Sequence, residues 1–284
     1  MKDSNFVVMS SWLSFDNFDV IYGQLCKQVP LPSHWFIYND SGKEFNPGIT
    51  KFPITIVKPI PNNAWYYKRL AINQSHIFKV MNKGLFKATD YFLKLDDDTI
   101  IPGDYAERLI PFMKDGSFGA ISGRIESWNG KMYVPEKRAS DYALGSAMFF
   151  RRELLEFWDN SYPCYPASDT LLNITSSYLG FKTMQIDSIM CKQTRLTYVN
   201  SGFNQPVSMA VKRYYLRFPW FLIFWYLGRG SKTKFFSNFK EFRGLVKNVK
   251  ESERLDRPEI VRANNRRILL MILKKYRKYF WRWI

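Results

Sequence analysis

Short apolar runs alternate with segments of helical periodicity over the first hundred residues. The segment 15–28 and the segment Tyr66–Met81 carry apolar residues at helical spacing. Alternation of this kind is typical of a doubly wound α/β fold, so we expect a mostly parallel sheet with helices on both faces. Four apolar runs predict the buried strands: Asn5–Ser10, His34–Tyr38, Ile54–Val57 and Tyr91–Leu95.

Polar residues follow three of these four predicted strands. They are Ser10-Ser11, Asn39-Asp40 and Asp96-Asp97-Asp98. Ligands of open α/β sheets bind at the carboxyl ends of the strands. We therefore expect a site at that edge of the sheet.

The triplet Asp96-Asp97-Asp98 places three carboxylates side by side after an apolar strand. Adjacent carboxylates repel one another, and a folded protein usually compensates them. Mg²⁺ or Mn²⁺ suits this role, because hard cations prefer oxygen ligands and are commonly held by one or two carboxylates plus substrate phosphates. A solvated acidic loop explains the spacing equally well.

Positive charge is concentrated in the last part of the chain. Residues 206–284 contain 20 Lys or Arg and 5 Asp or Glu, a balance of +15, whereas residues 1–205 contain 22 and 20, a balance of +2. A basic segment of this kind seeks an anionic partner such as membrane lipid, a phosphorylated substrate or nucleic acid.

Aromatic residues accompany this charge. The segment Phe218–Leu227 is almost wholly apolar and is flanked by Lys and Arg, and Arg266–Ile284 repeats the combination. Ten residues are too few to cross a bilayer, which takes about 20, but Trp and Tyr beside Lys and Arg suit its headgroup boundary. We expect a helical, membrane-associating region over 206–284. Packing on the rest of the protein or on a second copy is the alternative, and no nucleic-acid-binding motif is visible.

The cysteines and the N-terminal residues bear on the compartment. Cys26, Cys164 and Cys191 show no metal-ligand spacing and are expected to be reduced thiols. The start of the chain lacks the basic and long apolar stretches of a signal peptide. We expect a cytoplasmic protein that is peripheral on the inner face of a membrane.

Leu95–Pro102 resembles the Asp-x-Asp segment of family 2 glycosyltransferases, inverting enzymes of the GT-A fold that use nucleotide sugars. Further pieces of similarity follow in the family's order over about residues 5–200: Phe6–Ser10, Tyr38–Gly42, Leu144–Arg152, Ser168–Leu172 and Gly180–Lys182. The resemblance implies a Rossmann-like, GT-A-like catalytic domain over 1–205 and a C-terminal helical extension over 206–284.

The resemblance also implies roles for individual residues. Asp40 accepts a hydrogen bond from the nucleotide base, Arg69 contacts base or phosphate, and Asp96 and Asp98 hold ribose and the Mg²⁺ or Mn²⁺ ion. From its position and chemistry, Trp12 is expected to stack on the base. The full set expected to bind the donor is Ser10, Trp12, Asp40, Arg69, Asp96, Asp97, Gly145, Ser146, Lys192 and Arg195.

Asp169 is expected to be the catalytic base. Ser168 and Asp169 are also ordinary residues for a helix start, but the family places at this point the Asp that takes the proton from the acceptor hydroxyl. The His that often follows in the family is absent, and Cys191–Arg195 stands there instead. We expect Lys192 or Arg195 to contact the diphosphate instead. Gly145 and Ser146 are expected to lie under the sugar or acceptor, and Arg124 and Trp128 to line the same cleft.

These expectations combine into transfer of a sugar from a UDP- or GDP-sugar, with inversion, to a hydroxyl of a glycan or lipid-linked acceptor at a membrane surface. A polyprenyl phosphate acceptor is one alternative. A catalytically inactive membrane-bound interaction protein of the same fold is another, and a nucleic-acid-binding protein is the third.

Overall fold

A computed structural model describes residues 4–60, 66–135, 141–195, 204–228 and 234–265. The chain divides into two compact units, Met1–Asn200 and Ser201–Ile284. The predicted boundary at residue 205 lies close to this division. The predicted basic segment Arg266–Ile284 lies outside the described residues.

Strands and helices alternate along the first unit, as the apolar runs predict. Its described strands are β1 (Phe6–Trp12), β2 (His34–Asn39), β3 (Ile54–Val57), β4 (Tyr91–Leu95), β5 (Thr99–Ile100), β6 (Phe118–Trp128), β7 (Tyr133–Pro135), β8 (Ala147–Arg151) and β9 (Lys182–Gln193). Its described helices are α1 (Phe18–Leu25), α2 (Tyr66–Val80), α3 (Lys83–Ala88), α4 (Tyr105–Lys114), α5 (Arg152–Glu156) and α6 (Ser168–Tyr178).

The strands form one mixed sheet in the order β3-β2-β1-β4-β8-β6-β9-β5, with β7 paired to β6. Strands β3, β2, β1 and β4 are mutually parallel, and β6 is parallel to β9. The predicted α/β class is confirmed, but the sheet is more mixed than predicted, because β8 runs antiparallel to both β4 and β6 and short antiparallel strands β5 and β7 add to it.

The reversal of β8 determines what lies at each edge of the sheet. Since β8 is antiparallel to β4 and to β6, the latter two point the same way. The carboxyl ends of β1, β2, β4, β6 and β9 therefore share one edge with the start of β8. We call this the carboxyl edge, and it carries the predicted site.

Apolar side chains cover both faces of the sheet. In β1, Phe6 and Val8 join a buried cluster on one face with residues of α1 and α4, and Val7 and Met9 join a cluster on the other face with residues of α2 and α6. Alternate residues of a strand point to opposite faces, so the prediction of helices on both faces is confirmed.

Ser10 and Trp12 belong to this core. The hydroxyl oxygen of Ser10 accepts hydrogen bonds from the indole nitrogens of Trp12 at 2.7 Å and Trp35 at 2.9 Å. All three residues are at most 1% exposed. The expectations that Trp12 stacks on a nucleotide base and that Ser10 binds the donor are wrong, because both side chains are used inside the protein.

The second unit is helical where it is described. It contains α7 (Gln205–Tyr215), α8 (Trp220–Gly228), α9 (Phe235–Val246), a 3-10 turn (Glu251–Glu253) and further helical residues at 258–265. Helix α8 buries Ile223 and Leu227 but leaves several of its aromatic rings exposed. Within the described ranges, no helix has the length and apolar character required to cross a membrane.

We expect Ser10→Ala to lower the free energy of unfolding by about 2–4 kcal/mol, because two buried indole N–H groups lose their acceptor. Urea denaturation measures the change. Ser11→Ala is the matched control: Ser11 lies in the same strand, and its buried hydroxyl has no hydrogen-bond partner among the described residues. A loss for Ser10→Ala no larger than that for Ser11→Ala would contradict the role of the paired indoles.

Candidate active site

The acidic triplet forms the turn between β4 and β5 at the carboxyl edge. The backbone N–H of Asp96 donates to the carbonyl of Ser146, which precedes β8, at 2.9 Å. The N–H of Thr194, which follows β9, donates to the carbonyl of Asp98 at 2.8 Å. The turn is therefore fixed between the start of β8 and the end of β9.

Asp97 is the most buried of the three carboxylates. One of its oxygens accepts a hydrogen bond from the N–H of Leu13 at 2.9 Å, and the other pairs with the Arg195 guanidinium. Burial raises the pKa of Asp97, against the opposing effect of Arg195. Asp97 thus links Leu13, which follows β1, and Arg195, which follows β9, to the triplet. Its side chain has little exposed surface left with which to bind a donor.

Asp98 is also largely buried. Gln193 donates from its side-chain amide to both carboxylate oxygens at 3.3 Å, and the Nε of Arg195 lies 3.2 Å from Oδ2. Burial, with the negative charge of Asp96 next in size, raises the pKa of Asp98 to about 6. The raised pKa follows from removal of the carboxylate from water, and the charge of Asp96 adds to the effect.

Asp96 is the most exposed carboxylate of the triplet, at 40% of its side chain. Its Oδ1 lies 2.6 Å from the ammonium of Lys94, which also donates to the carbonyl of Gly145 at 2.5 Å. Sequence reasoning missed Lys94. The signal was present, because a lysine within the apolar run of β4 needs a partner when it is buried.

Gly145 makes a close contact with Asp169, the predicted base. A Cβ atom at Gly145 would lie 2.7 Å from Oδ2 of Asp169 and 2.8 Å from its Cβ. Any side chain at Gly145 would therefore displace Asp169. The close approach expected at this glycine is made by the carboxylate of α6, so the structure brings Asp96, Lys94, Gly145 and Asp169 together.

Asn173 holds this arrangement in place. Its side chain exchanges two hydrogen bonds of 2.9 Å with the backbone of Ala143 and donates a third, also of 2.9 Å, to the carbonyl of Asp169. Ser122 accepts from the N–H of Leu144 at 2.8 Å. Sequence reasoning missed both residues, because Asn173 and Ala143 are separated by 30 residues and no local pattern connects them.

Asp40 and Arg69 lie side by side at the carboxyl edge beyond β2. The Nε of Arg69 is 3.3 Å from Oδ2 of Asp40, and the side-chain amide of Asn73 donates to the same oxygen at 3.2 Å. The two residues expected to contact the base are thus neighbours, and Asn73 joins them.

Lys192 is not with the acidic triplet. It precedes Gln193 in β9, so its side chain points to the opposite face of the strand. There its ammonium lies 5.3 Å from the centre of the Tyr133 ring. Of the two basic residues expected at the diphosphate, the structure brings only Arg195 to the carboxylates.

The triplet has the chemistry of a divalent-cation site without a complete set of protein ligands. Across the described ranges, no group of three His, Cys, Asp or Glu is arranged to hold a metal. Asp96 and Asp98 nevertheless fit such an ion. They supply carboxylate oxygen ligands, and the side chain of Asp96 is 40% exposed. Mg²⁺ commonly needs only one or two carboxylates when substrate phosphates complete its coordination.

Comparison with known proteins gives matches in structure. No family profile and no curated protein sequence matches the chain. Residues 1–349 of S. aureus TarS in complex with UDP-GlcNAc match with a TM-score of 0.53 and 16% identity over 88% of this chain and 77% of that one. The mannosyltransferase PcManGT of Pyrobaculum calidifontis, in complex with GDP-Man and Mn²⁺, matches with a TM-score of 0.51 and 13% identity. The match covers 97% of this chain and 82% of that one.

A longer TarS structure matches with a TM-score of 0.51 and 14% identity over 87% of this chain. The chain spans 44% of that protein's length. At these identities the likeness shows a shared fold, which agrees with the α/β architecture expected from the sequence.

We expect Arg195→Gln to make stability more dependent on pH. Removal of the guanidinium raises the pKa of Asp97 and Asp98 further above their values in the unfolded chain. Stability from a raised pKa is present at low pH and is lost as the pH rises through the folded-state value. The variant should lose about 2 kcal/mol of unfolding free energy at pH 8 and less at pH 5.

Urea denaturation at both pH values, in EDTA, measures this difference. Arg108→Gln is the control, because Arg108 has similar exposure and pairs with the exposed Asp104. Equal losses at pH 5 and pH 8 for Arg195→Gln would show that the guanidinium does not control the two carboxylates.

Proposed function

We propose that this protein is an inverting glycosyltransferase that moves a sugar from a UDP- or GDP-sugar to a hydroxyl of a glycan or lipid-linked acceptor at a membrane surface. The observation that carries the proposal is the contact of Asp169 with Gly145. The carbonyl of Gly145 accepts from Lys94, which pairs with Asp96. A candidate base and a candidate donor carboxylate are therefore joined through two residues.

Donor binding is distributed along the carboxyl edge. Asp40 and Arg69 provide an acceptor and a cation for the nucleotide base. Asp96 is exposed enough to bind the ribose, and Lys94 and Arg195 supply positive charge where the diphosphate would lie. The complexes of TarS with UDP-GlcNAc and of PcManGT with GDP-Man support a nucleotide sugar as the donor.

Asp96 and Asp98 would hold Mg²⁺ or Mn²⁺ together with the donor diphosphate. When bound, the ion would stabilise the negative charge that develops on the departing nucleoside diphosphate. The Mn²⁺ in the PcManGT complex supports this choice of ion. Each of the two proposed ligands also has a cation beside it, because Lys94 pairs with Asp96 and Arg195 pairs with Asp98.

Asp169 has the position of a general base. As the acceptor oxygen attacks the anomeric carbon, the bond from that carbon to the diphosphate breaks, and the carboxylate takes the hydroxyl proton. Attack opposite the leaving group inverts the configuration. The hydrogen bond from Asn173 to the Asp169 carbonyl holds the backbone of Asp169, and the glycine at position 145 leaves room for its carboxylate.

The second unit supports attachment to an anionic membrane surface, and we propose a cytoplasmic, peripheral location. Trp220, Phe221 and Trp225 of α8 are each more than half exposed. Trp beside Lys and Arg suits the headgroup region, and each basic residue near an anionic leaflet contributes about 1 kcal/mol of attraction. The balance of +15 over residues 206–284 provides this attraction.

We expect the purified protein to release UDP or GDP from UDP-GlcNAc or GDP-mannose in the presence of Mn²⁺. Asp169→Asn should slow this release by about 100-fold or more, because it removes the general base. Nucleoside diphosphate binding, measured by calorimetry, should be unchanged, because the substitution removes a proton acceptor and no donor contact.

Asp187→Asn, at an exposed carboxylate of β9, is the control and should keep full activity. An Asp169→Asn variant as active as the control rules out Asp169 as the base. Loss of transfer to hydroxyls with retained transfer to undecaprenyl phosphate would favour the polyprenyl phosphate acceptor. Failure of every nucleotide to bind the unmodified protein would overturn the proposed function.

We expect the protein to sediment with phosphatidylglycerol vesicles and not with phosphatidylcholine vesicles, and high salt should release it. The double variant Phe221→Ser with Trp225→Ser should bind at least about tenfold more weakly, because two exposed rings no longer enter the headgroup region. Phe112→Ser, at an exposed ring of the first unit, is the control. Equal binding to both kinds of vesicle would contradict attachment through charge.

A further inference from the structure

Two aromatic rings lie side by side on the outer face of the hairpin formed by β6 and β7. Trp128, the last residue of β6, is 38% exposed, and its cross-strand partner is Tyr133. The ring centres are 5.3 Å apart. Lys192 of the neighbouring strand β9 lies over the Tyr133 ring. We call Trp128, Tyr133 and Lys192 the aromatic platform.

The hairpin turn holds the two rings in register. The side-chain oxygen of Asn129 accepts from the N–H groups of Lys131 and Met132 at 2.9 Å. The N–H of Asn129 donates to the carbonyl of Met132 at 3.0 Å, and Gly130 has a φ of +94°. The rings therefore project from a well-bonded turn and need little reorganisation to bind a ligand.

The strand that carries the platform also contacts the carboxylate site, through its opposite face. Ser127, which precedes Trp128, donates to the side-chain oxygen of Gln193 at 3.2 Å. Gln193 in turn donates to both oxygens of Asp98. Two side-chain hydrogen-bond contacts thus connect the end of β6 to the triplet.

The order of the strands places the platform and Asp40 at opposite ends of the carboxyl edge. The strands lie in the order β2, β1, β4, β8 and β6 across the sheet. Asp40, after β2, and Trp128, at the end of β6, are therefore four strand spacings apart. At a spacing of about 4.8 Å, that is about 19 Å. Asp96 after β4, and Gly145 with Asp169 at β8, lie between them.

We propose that the aromatic platform binds a pyranose ring of the saccharide acceptor; this rests on the proposed function. The C–H groups on one face of a pyranose carry slight positive charge and are attracted to the negative face of an aromatic ring. Lys192 and its cross-strand neighbour Glu126 can hydrogen-bond the sugar hydroxyls. A nucleotide base is a poorer occupant, because the residues suited to it lie at the far end of the edge.

The test uses the full chain with UDP and Mn²⁺ and titrates methyl β-glycosides of glucose, galactose and N-acetylglucosamine by saturation-transfer NMR. The unmodified protein should bind at least one of them. Trp128→Ala should weaken that binding about tenfold, because it removes the larger ring. Trp128→Phe should retain most of it, and Tyr133→Ala should weaken it independently.

Phe112→Ala is the matched control, because Phe112 is 39% exposed on the same unit and packs beside Phe118, at the opposite end of β6 from Trp128. UDP affinity and release of UDP from UDP-GlcNAc to water should be the same in all these variants. The UDP measurement separates the two proposals. If the unmodified protein does not bind UDP, the proposed donor site is wrong, and the platform is then judged from glycoside binding alone.

Weaker glycoside binding in Trp128→Ala, with unchanged UDP affinity and unchanged binding in Phe112→Ala, supports the platform. Equal glycoside binding by Trp128→Ala and the unmodified protein overturns it. Failure of the unmodified protein to bind any of the three glycosides also overturns it, as does a change in UDP affinity that accompanies every loss of glycoside binding.

Discussion

Three adjacent carboxylates at the end of a buried strand repel one another, and the groups that offset this repulsion come from that strand itself and from the ends of two others. Lys94 compensates Asp96 from within β4 itself and, through the carbonyl of Gly145, also fixes the chain that enters β8. Arg195 approaches from beyond β9, and the N–H of Leu13 from beyond β1. The same contacts therefore both compensate the charge of the triplet and hold the segments of the carboxyl edge together. A substitution of one of these groups should change the stability of the others' contacts.

The antiparallel strand β8 gives this edge its chemical order. Because β8 starts where its neighbours end, the glycine that precedes it lies beside the triplet and not at the far end of the sheet. Helix α6 then presents Asp169 to that glycine. A fully parallel sheet would carry Gly145 and Asp96 to opposite edges. The mixed topology thus explains how Asp169, the proposed base, lies near Asp96, the proposed donor ligand, although the two residues are far apart in the sequence.

Much of the fold could be predicted from the sequence, because buried strands need apolar runs and these are visible in any single segment. The neighbours Asp40 and Arg69 could also be predicted, since each follows from its own element. Ser10 and Trp12 were assigned wrongly because their burial depends on Trp35, a partner from the next strand. Lys192 and Arg195 could not be separated in advance, because the side to which Lys192 points depends on β9 continuing as a strand through Gln193. Asn173 acts across 30 residues, and no local pattern indicates such a contact.

The two units differ in how many basic residues they contain in excess of acidic ones, and in whether those residues have carboxylates with which to pair. In the first unit the cations of the site are committed to nearby carboxylates, as with Lys94 and Asp96 or Arg69 and Asp40. In residues 206–284, 20 basic residues meet only 5 acids, so internal pairing cannot neutralise most of them. Such an excess destabilises a compact unit by self-repulsion. An anionic surface would remove that cost, and the exposed rings of α8 would enter the same surface. The composition of the second unit therefore supports the proposed attachment to an anionic surface.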